Sequence, residues 1–235
     1  MGSGVVWASQ RLSPHYAGTT HLHIITTLDD IETGMRYLNR ACPHMRAAHN
    51  IAGLPPLRRE RGGFEGLARI VVGQQVSVAS ANAIWGRVFA GVQPFTPEVM
   101  AGSSEAELRA FGLSRPKIVT LTKLAQFLSG EPEFLAGLAL ADDGRVRETL
   151  VALPGIGPWT ADIYLMFCLG RADSFAPGDL ALQIAAQGLM ELDERPDSKA
   201  LVEIAERWRP WRGVAARMLW AYYAAVKRSN SGAPV

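Results

Sequence analysis

The sequence predicts an all-α protein, and three observations carry that prediction. From residue 28 onward apolar residues recur at helical spacing in segment after segment, cap residues and glycine stops punctuate them, and no alternating strand pattern with turn dipeptides interrupts the series. With 235 residues, 48% of them hydrophobic and 20% charged, the chain can bury a core as one compact unit or as two small lobes.

Residues 1–27 form an N-terminal arm with few periodic signals, of which the run His21 to Thr27 reads as a strand or an extended stretch. Thr27-Leu28-Asp29-Asp30 then offers a helix cap and an acidic first turn, and Ile31, Met35 and Leu38 fall on one face, predicting a helix over 28–41. After Gly62-Gly63, the residues Leu67, Ile70, Val71 and Gln74 mark a second helical face. Ser77 caps a third helix holding Ala81, Ile84, Trp85 and Val88. The polar joint Gln74-Gln75-Val76 lies between the two.

Thr96-Pro97 and the capping box Ser104-x-x-Glu107 each open a short helix, the second stopped by Gly112. Ile118, Leu121, Leu124, Ala125 and Leu128 share a face of a longer helix ending at Gly130, and helices come next near 132–138 and 145–150. The almost continuously apolar run from Pro158 to Leu169 marks a buried helix stopped by Gly170. Asp179 caps Leu180 to Met190, Ser198 caps Lys199 to Trp208, and Pro210 opens a last helix to Lys227, giving roughly ten helices and a loose tail over 229–235.

Composition narrows the function. The net charge of +2 is too small for whole-molecule attraction to a polyanion, so any nucleic-acid contact is local. Two cysteines, Cys42 and Cys168, are too few for a disulfide scaffold or a four-thiolate iron–sulfur cluster. The five histidines all precede residue 50, and His21-x-His23 lacks further ligands at metal spacing. No stretch approaches the roughly 20 apolar residues of a membrane span, and no secretory signal is visible, so the expected place is the cytoplasm, at the nucleoid.

The strongest local signal is Leu153-Pro154-Gly155-Ile156-Gly157-Pro158-Trp159-Thr160-Ala161, a glycine-bracketed turn between two helices. Its glycines free the backbone to bring successive N–H groups close to an anion, and the next helix adds its positive N-terminus. Such a turn grips a phosphate without a basic side chain. Taken alone, a Gly-x-Gly turn is more often a plain helix stop. A second motif shifts the balance: one buried helix later comes Phe175-Ala176-Pro177-Gly178-Asp179-Leu180-Ala181.

This pairing resembles the helix-hairpin-helix DNA glycosylase superfamily, whose hairpin is succeeded by a Gly/Pro-rich loop ending in an aspartate. Phe64-Glu65-Gly66-Leu67, Val72-Gly73-Gln74-Gln75-Val76-Ser77, Gly112-Leu113-Ser114 with Lys117, and Trp208-x-Pro210-Trp211-Arg212 extend the likeness to the DNA-3-methyladenine glycosylase II branch, over roughly residues 28–228. The resemblance implies two helical lobes with a cleft between them, the hairpin at 151–160, and a single polypeptide acting on duplex DNA that contains alkylated purines. Larger members of the branch start with an α/β lobe for which this chain has too few residues before Phe64.

By the same resemblance, Asp179 is the catalytic carboxylate, stabilising the positive charge that builds on the deoxyribose as the base departs. An aspartate before a helix is more commonly only a cap, and Asp179 is read as both. A lysine stands at the position of Trp159 in the relatives that cut the strand, so simple hydrolysis is expected here. Trp159, Trp220 and Tyr223 are the base-pocket candidates, whereas Trp7, Trp85 and Trp208 are read as core. Gln74, Gln75 and Val76 would fill the gap left in the base stack, with Gln75 where some relatives have leucine, and Ser77 is a further DNA-binding candidate. Lys117 and the N–H groups of Gly155 and Gly157 are phosphate candidates. Carbonyls of Val151, Leu153 and Ile156 would hold Na+ or K+; no cofactor is required. The rival readings are a glycosylase for oxidised or mismatched bases and a non-catalytic DNA-binding module.

Overall fold

A computed structural model describes residues 23–230. It consists of thirteen α-helices, one π-helical turn and one 3-10 turn. Among the described residues no strand forms beyond a single antiparallel bridge between Ile24 and Arg171. The arm up to residue 22, including Trp7, His15 and His21, and the tail from residue 231 lie outside the described residues.

The helices sort into two lobes by what they pack against. The first lobe holds α1 (Leu28–Ala41), α2 (Pro43–Ala52), α11 (Leu180–Met190), α12 (Ser198–Ala205) and α13 (Arg212–Asn230). Its centre is α13, which lies on α1, α2 and α11. The second lobe holds α3 (Gly63–Gly73), α4 (Val78–Gly91), α5 (Pro97–Gly102), α6 (Glu105–Ala110), α7 (Arg115–Gly130), α8 (Phe134–Leu138), α9 (Asp143–Val151) and α10 (Pro158–Ile163). Here α7 packs on α3, α5 and α6, and α10 on α3 and α9. The chain crosses between lobes twice, along residues 53–62 and again after the π turn Tyr164–Cys168 that continues α10.

Local chemistry explains the boundaries. Thr27 and Asp30 form a reciprocal capping box at α1, and Ser104 and Glu107 another at α6. Ser77, Thr96, Asp142 and Asp179 cap α4, α5, α9 and α11 through side-chain oxygens. Ile31, Met35, Leu38, Leu67, Val71, Leu121, Ala125, Val214 and Met218 are buried, so the helical faces expected from the spacing face the core.

Four expectations need correction. Helix α2 is not evident from the sequence pattern; Pro43 opens it and Met45 and Ala48 bury one face, but four polar or charged residues hide so short an apolar stripe. The cap of α12 is Asp197, whose carboxylate accepts the Ala200 amide, and Ser198 is already helical. The last helix starts at Arg212, because the Trp208-to-Trp211 turn carrying the cis Arg209-Pro210 bond closes on itself first. It also runs through Ser229 and Asn230, into the segment expected to be loose.

Buried polar groups tie the lobes together. Arg217 on α13 is 3% exposed and donates to the carbonyls of Leu57, Gly213 and Met166 while lying on the Phe167 ring. Burial pushes its pKa down to about 9. Asp173 receives Arg212 and Arg209, anchoring the second crossover to the start of α13. Asp162, 4% exposed, pairs with Arg147 at 2.7 Å and so ties α10 to α9 across the hairpin. Desolvation outweighs Arg147 and pushes its pKa up to about 6. Both cysteines are free and buried, and burial pushes the Cys168 thiol up to about 12, which disfavours its thiolate.

Candidate active site

Between the lobes lies a cleft of about 1470 Å³. Its walls come from the α3–α4 joint, the first turn of α10, the N-terminus of α11, one face of α13 and the first crossover. Such a groove at a domain interface is the usual setting for a ligand site.

The hairpin forms the rim. Ile156 donates to the Leu153 carbonyl, closing the turn between α9 and α10. Gly155 sits at φ +77, and a Cβ there would fall 2.1 Å from Thr120 Oγ1, so both the backbone and the space demand glycine. Gly157 differs. It has an ordinary φ of −92 and open space where a Cβ would go, so only Gly155 is needed to shape the turn. Pro158 then takes the first helical position of α10, which projects Trp159 into the cleft.

Asp179 faces the same cleft, beside Gly157 and Trp159. The loop before it turns through an Asp179 N–H to Ala176 carbonyl bond at 3.0 Å, and Gln183 secures the Pro177 carbonyl at 3.0 Å. Its Oδ1 accepts the Leu182 amide at 3.1 Å and the Trp220 indole N–H at 3.1 Å; its Oδ2 accepts the Trp159 indole N–H at 2.9 Å. A carboxylate oxygen offers about two lone-pair sites, so Oδ1 is filled and Oδ2 keeps one acceptor position. The backbone amide and the two indole N–H groups fix the orientation of the carboxylate.

The two tryptophans thus do more than line the cleft. Each bonds the carboxylate, and Trp220 also tilts against Phe167 with ring centres 5.6 Å apart. Tyr223 lines the cleft with Lys227 on the next turn, 6.0 Å from its ring centre. Of the tryptophans read as core, Trp208 is fully buried, whereas Trp85 is buried yet lines the cleft.

The α3–α4 joint divides in two. Gln74 points inward, donating to Thr160 Oγ1 at 2.9 Å and to the Gly155 carbonyl at 3.3 Å, so its amide braces the hairpin. Gln75, in left-handed backbone at φ 56, and Val76 stay exposed at the cleft lip, and Ser77 caps α4. Lys117 donates to the Val72 carbonyl at 2.8 Å, closing the end of α3, and partial burial lowers its pKa. Around the hairpin, the Val151 and Ile156 carbonyls accept no backbone bond from turns or loops among the described residues, while that of Leu153 accepts Ile156. No cluster of three metal-binding side chains occurs among the described residues, and His23 instead packs on Trp211.

Residues 53–62 carry no motif in the sequence, and their place in the site comes from the fold alone. That crossover brings Arg58 and Glu60 into the cleft, next to Arg69 and Trp85. Only its Arg-rich composition marks it, and nothing local says which way those side chains turn.

Comparison with known proteins agrees with the all-helical fold. The sequence pattern of the HhH-GPD superfamily of base excision DNA repair proteins matches residues 68–210. The chain is 35% identical over 188 residues to a Mycobacterium tuberculosis protein named "Probable bifunctional transcriptional activator/DNA repair enzyme AlkA", covering 77% of this chain but 37% of that protein's length. It is 29% identical over 209 residues to DNA-3-methyladenine glycosylase 2 of Escherichia coli, covering 83% of this chain and 69% of that one. Among solved structures it resembles the 3-methyladenine DNA glycosylase of Schizosaccharomyces pombe in complex with abasic DNA, with a TM-score of 0.73, 25% identity, and coverage of 80% of this chain and 95% of that one. A DNA-3-methyladenine glycosidase from Bacillus halodurans gives a TM-score of 0.70 at 30% identity, covering 83% and 91%.

Proposed function

This chain belongs to the HhH-GPD superfamily of base excision DNA repair proteins, and from that premise we propose that it hydrolyses the N-glycosidic bond of alkylated purines extruded from duplex DNA. The observation that carries the reading is the Asp179 carboxylate, fixed in the interlobe cleft beside the hairpin by two indole N–H groups and a helix N-terminus.

The chemistry rests on that arrangement. As the C1′–N bond lengthens, positive charge builds on the sugar, and an anion held nearby with no reorganisation lowers the barrier. The unfilled acceptor position on Oδ2 orients the water whose oxygen bonds C1′. Purines alkylated on a ring nitrogen already carry positive charge and leave as neutral bases, so no general acid is needed for them. Trp159 presents an indole where strand-cutting relatives have lysine, and its N–H is committed to Asp179, so the product is an abasic site in an uncut strand.

Supporting contacts come from the rim. The Gly155 and Gly157 amides, next to the N-terminus of α10, would meet a phosphate, and the exposed Gln75 and Val76 would fill the vacated stack. The Val151, Leu153 and Ile156 carbonyls would hold Na+ or K+, which supplies a positive point for a phosphate oxygen.

Mass spectrometry of bases freed from methylated DNA tests the reading. The wild type releases 3-methyladenine or 7-methylguanine and Asp179→Asn releases neither while still binding DNA. Undiminished release by the variant removes Asp179 from its role, and a borohydride-trapped covalent complex contradicts simple hydrolysis.

A further inference from the structure

The first crossover supplies a group that the reaction outlined above leaves unused. Glu60 N–H donates to the Phe167 carbonyl at 3.0 Å, and the Leu57 carbonyl accepts Arg217 at 3.1 Å, so the backbone is pinned on both sides of Arg58. Arg58 itself sits at φ 37, a left-handed conformation rare for a side-chain-bearing residue and informative where it faces a site. Its guanidinium lies over Phe167 at 4.5 Å, and Phe167 leans on Trp220, which holds Asp179.

Arg58 and Arg217 share that aromatic ring yet differ in exposure and in hydrogen bonding. Arg217 is buried and donates to three carbonyls. Arg58 is 54% exposed in its side chain, donates no hydrogen bond among the described residues, and has only a loose 3.9 Å approach to Glu60, which is closer to Arg69 at 3.3 Å. Its planar fork of five N–H donors therefore lines the cleft with no hydrogen-bond acceptor among the described residues. The charged residues lining the cleft include Arg58, Arg69, Lys227 and Arg228 against Glu60 and Asp179, so the site has no surplus of carboxylate with which to attract a cationic base.

Resting on the base-excision reading above, we propose that Arg58 is a specificity-determining residue that donates to the acceptor edge of the extruded purine and tilts the site toward neutral deaminated purines such as hypoxanthine. The electron balance gives the reason. When the C1′–N9 bond breaks, its electron pair leaves with the base: a cationic methylated purine becomes neutral, whereas a neutral purine departs as an anion with charge on N3, N7 and O6. A guanidinium at that edge stabilises the departing anion, which then takes a proton from solvent, while water forms the new C1′–O bond and gives up its own proton. The same guanidinium gives no such help to a base that arrives positive.

Single-turnover excision from duplexes carrying one hypoxanthine or one 7-methylguanine, with wild type, Arg58→Gly and Arg58→Lys, tests this. Glycine adopts the left-handed backbone at no cost, so Arg58→Gly removes the guanidinium without straining the crossover; its melting temperature checks folding. The expected result is a roughly 100-fold loss of hypoxanthine release in Arg58→Gly, at most about a threefold change for 7-methylguanine, and partial recovery in Arg58→Lys. Equal losses on both lesions, unchanged hypoxanthine release, or a wild type that frees 7-methylguanine but no hypoxanthine each overturn the proposal and leave the base-excision reading standing. A wild type that frees neither base overturns that reading, and the role of Arg58 falls with it.

Discussion

Asp179 and Asp197 open successive helices of one lobe in the same way, each accepting the backbone amide three residues on. What separates them is the rest of the carboxylate. Asp197 stands exposed, and capping is all that its hydrogen bonds do. Asp179 is half-buried, receives two indole N–H groups from α10 and α13, and faces a cleft. The cap fixes the depth of the side chain, the tryptophans fix its rotation, and one acceptor position stays open. A cap becomes a candidate catalytic group when distant elements converge on it.

The sharpest way to break this comparison is to exchange the charge. Asp179→Asn should lower base release by at least about 100-fold, because the charge that matches the sugar cation is gone. Asp197→Asn should leave release unchanged, and a comparable loss there would show that capping alone was being measured. Next in size are the indole bonds. Trp220→Phe or Trp159→Phe keeps an aromatic ring but frees one side of the carboxylate, and a roughly tenfold fall in kcat with little change in melting temperature is expected. No change in kcat would reduce the tryptophans to pocket lining.

The hairpin offers a parallel contrast between Gly155 and Gly157. Gly155→Ala is strained at φ +77 and collides with Thr120, so it should cost about 1–3 kcal/mol of stability and weaken DNA binding. Gly157→Ala meets neither obstacle and should be close to neutral in a denaturant titration; equal destabilisation would refute the distinction. Smaller still, Asp197→Ala should cost about 1 kcal/mol, read as a drop in melting temperature with excision intact below it.

A third aspartate tests whether burial alone makes a site. Asp162 is more buried than either cap, but Arg147 fills it and it faces away from the cleft. Its carboxyl is raised from 3.8 to about 6, so between those values the folded protein holds a proton that the unfolded chain has released. Stability from this group therefore grows as pH falls through 6 and is absent at neutral pH. Thermal melts should show wild type gaining on Asp162→Asn as the pH drops from 7 to 4, and a constant gap would exclude that titration.

Much of the fold is legible in advance because it is written in short windows. Thr27 with Asp30, Ser104 with Glu107, and Gly157 before Pro158 set helix ends through contacts three or four residues apart. Where two neighbours compete for one task, as Asp197 and Ser198 do for the cap of α12, the window is too coarse to choose. Helix α2 escapes the pattern for a related reason: its buried face is two side chains wide, and the polar remainder dominates.

The sequence by itself determined the helices other than α2, their order, and the succession of a glycine-cornered turn and an aspartate-ended loop, since each depends on hydrogen bonds and apolar spacing within a turn or two. Only the tertiary structure decided what that aspartate meets. Trp159 and Trp220 lie 20 and 41 residues from Asp179, and the Arg58 crossover far earlier in the chain. Local forces act between neighbours along the chain; the direction a side chain takes across a cleft is set by how whole helices pack, and no window of sequence contains that.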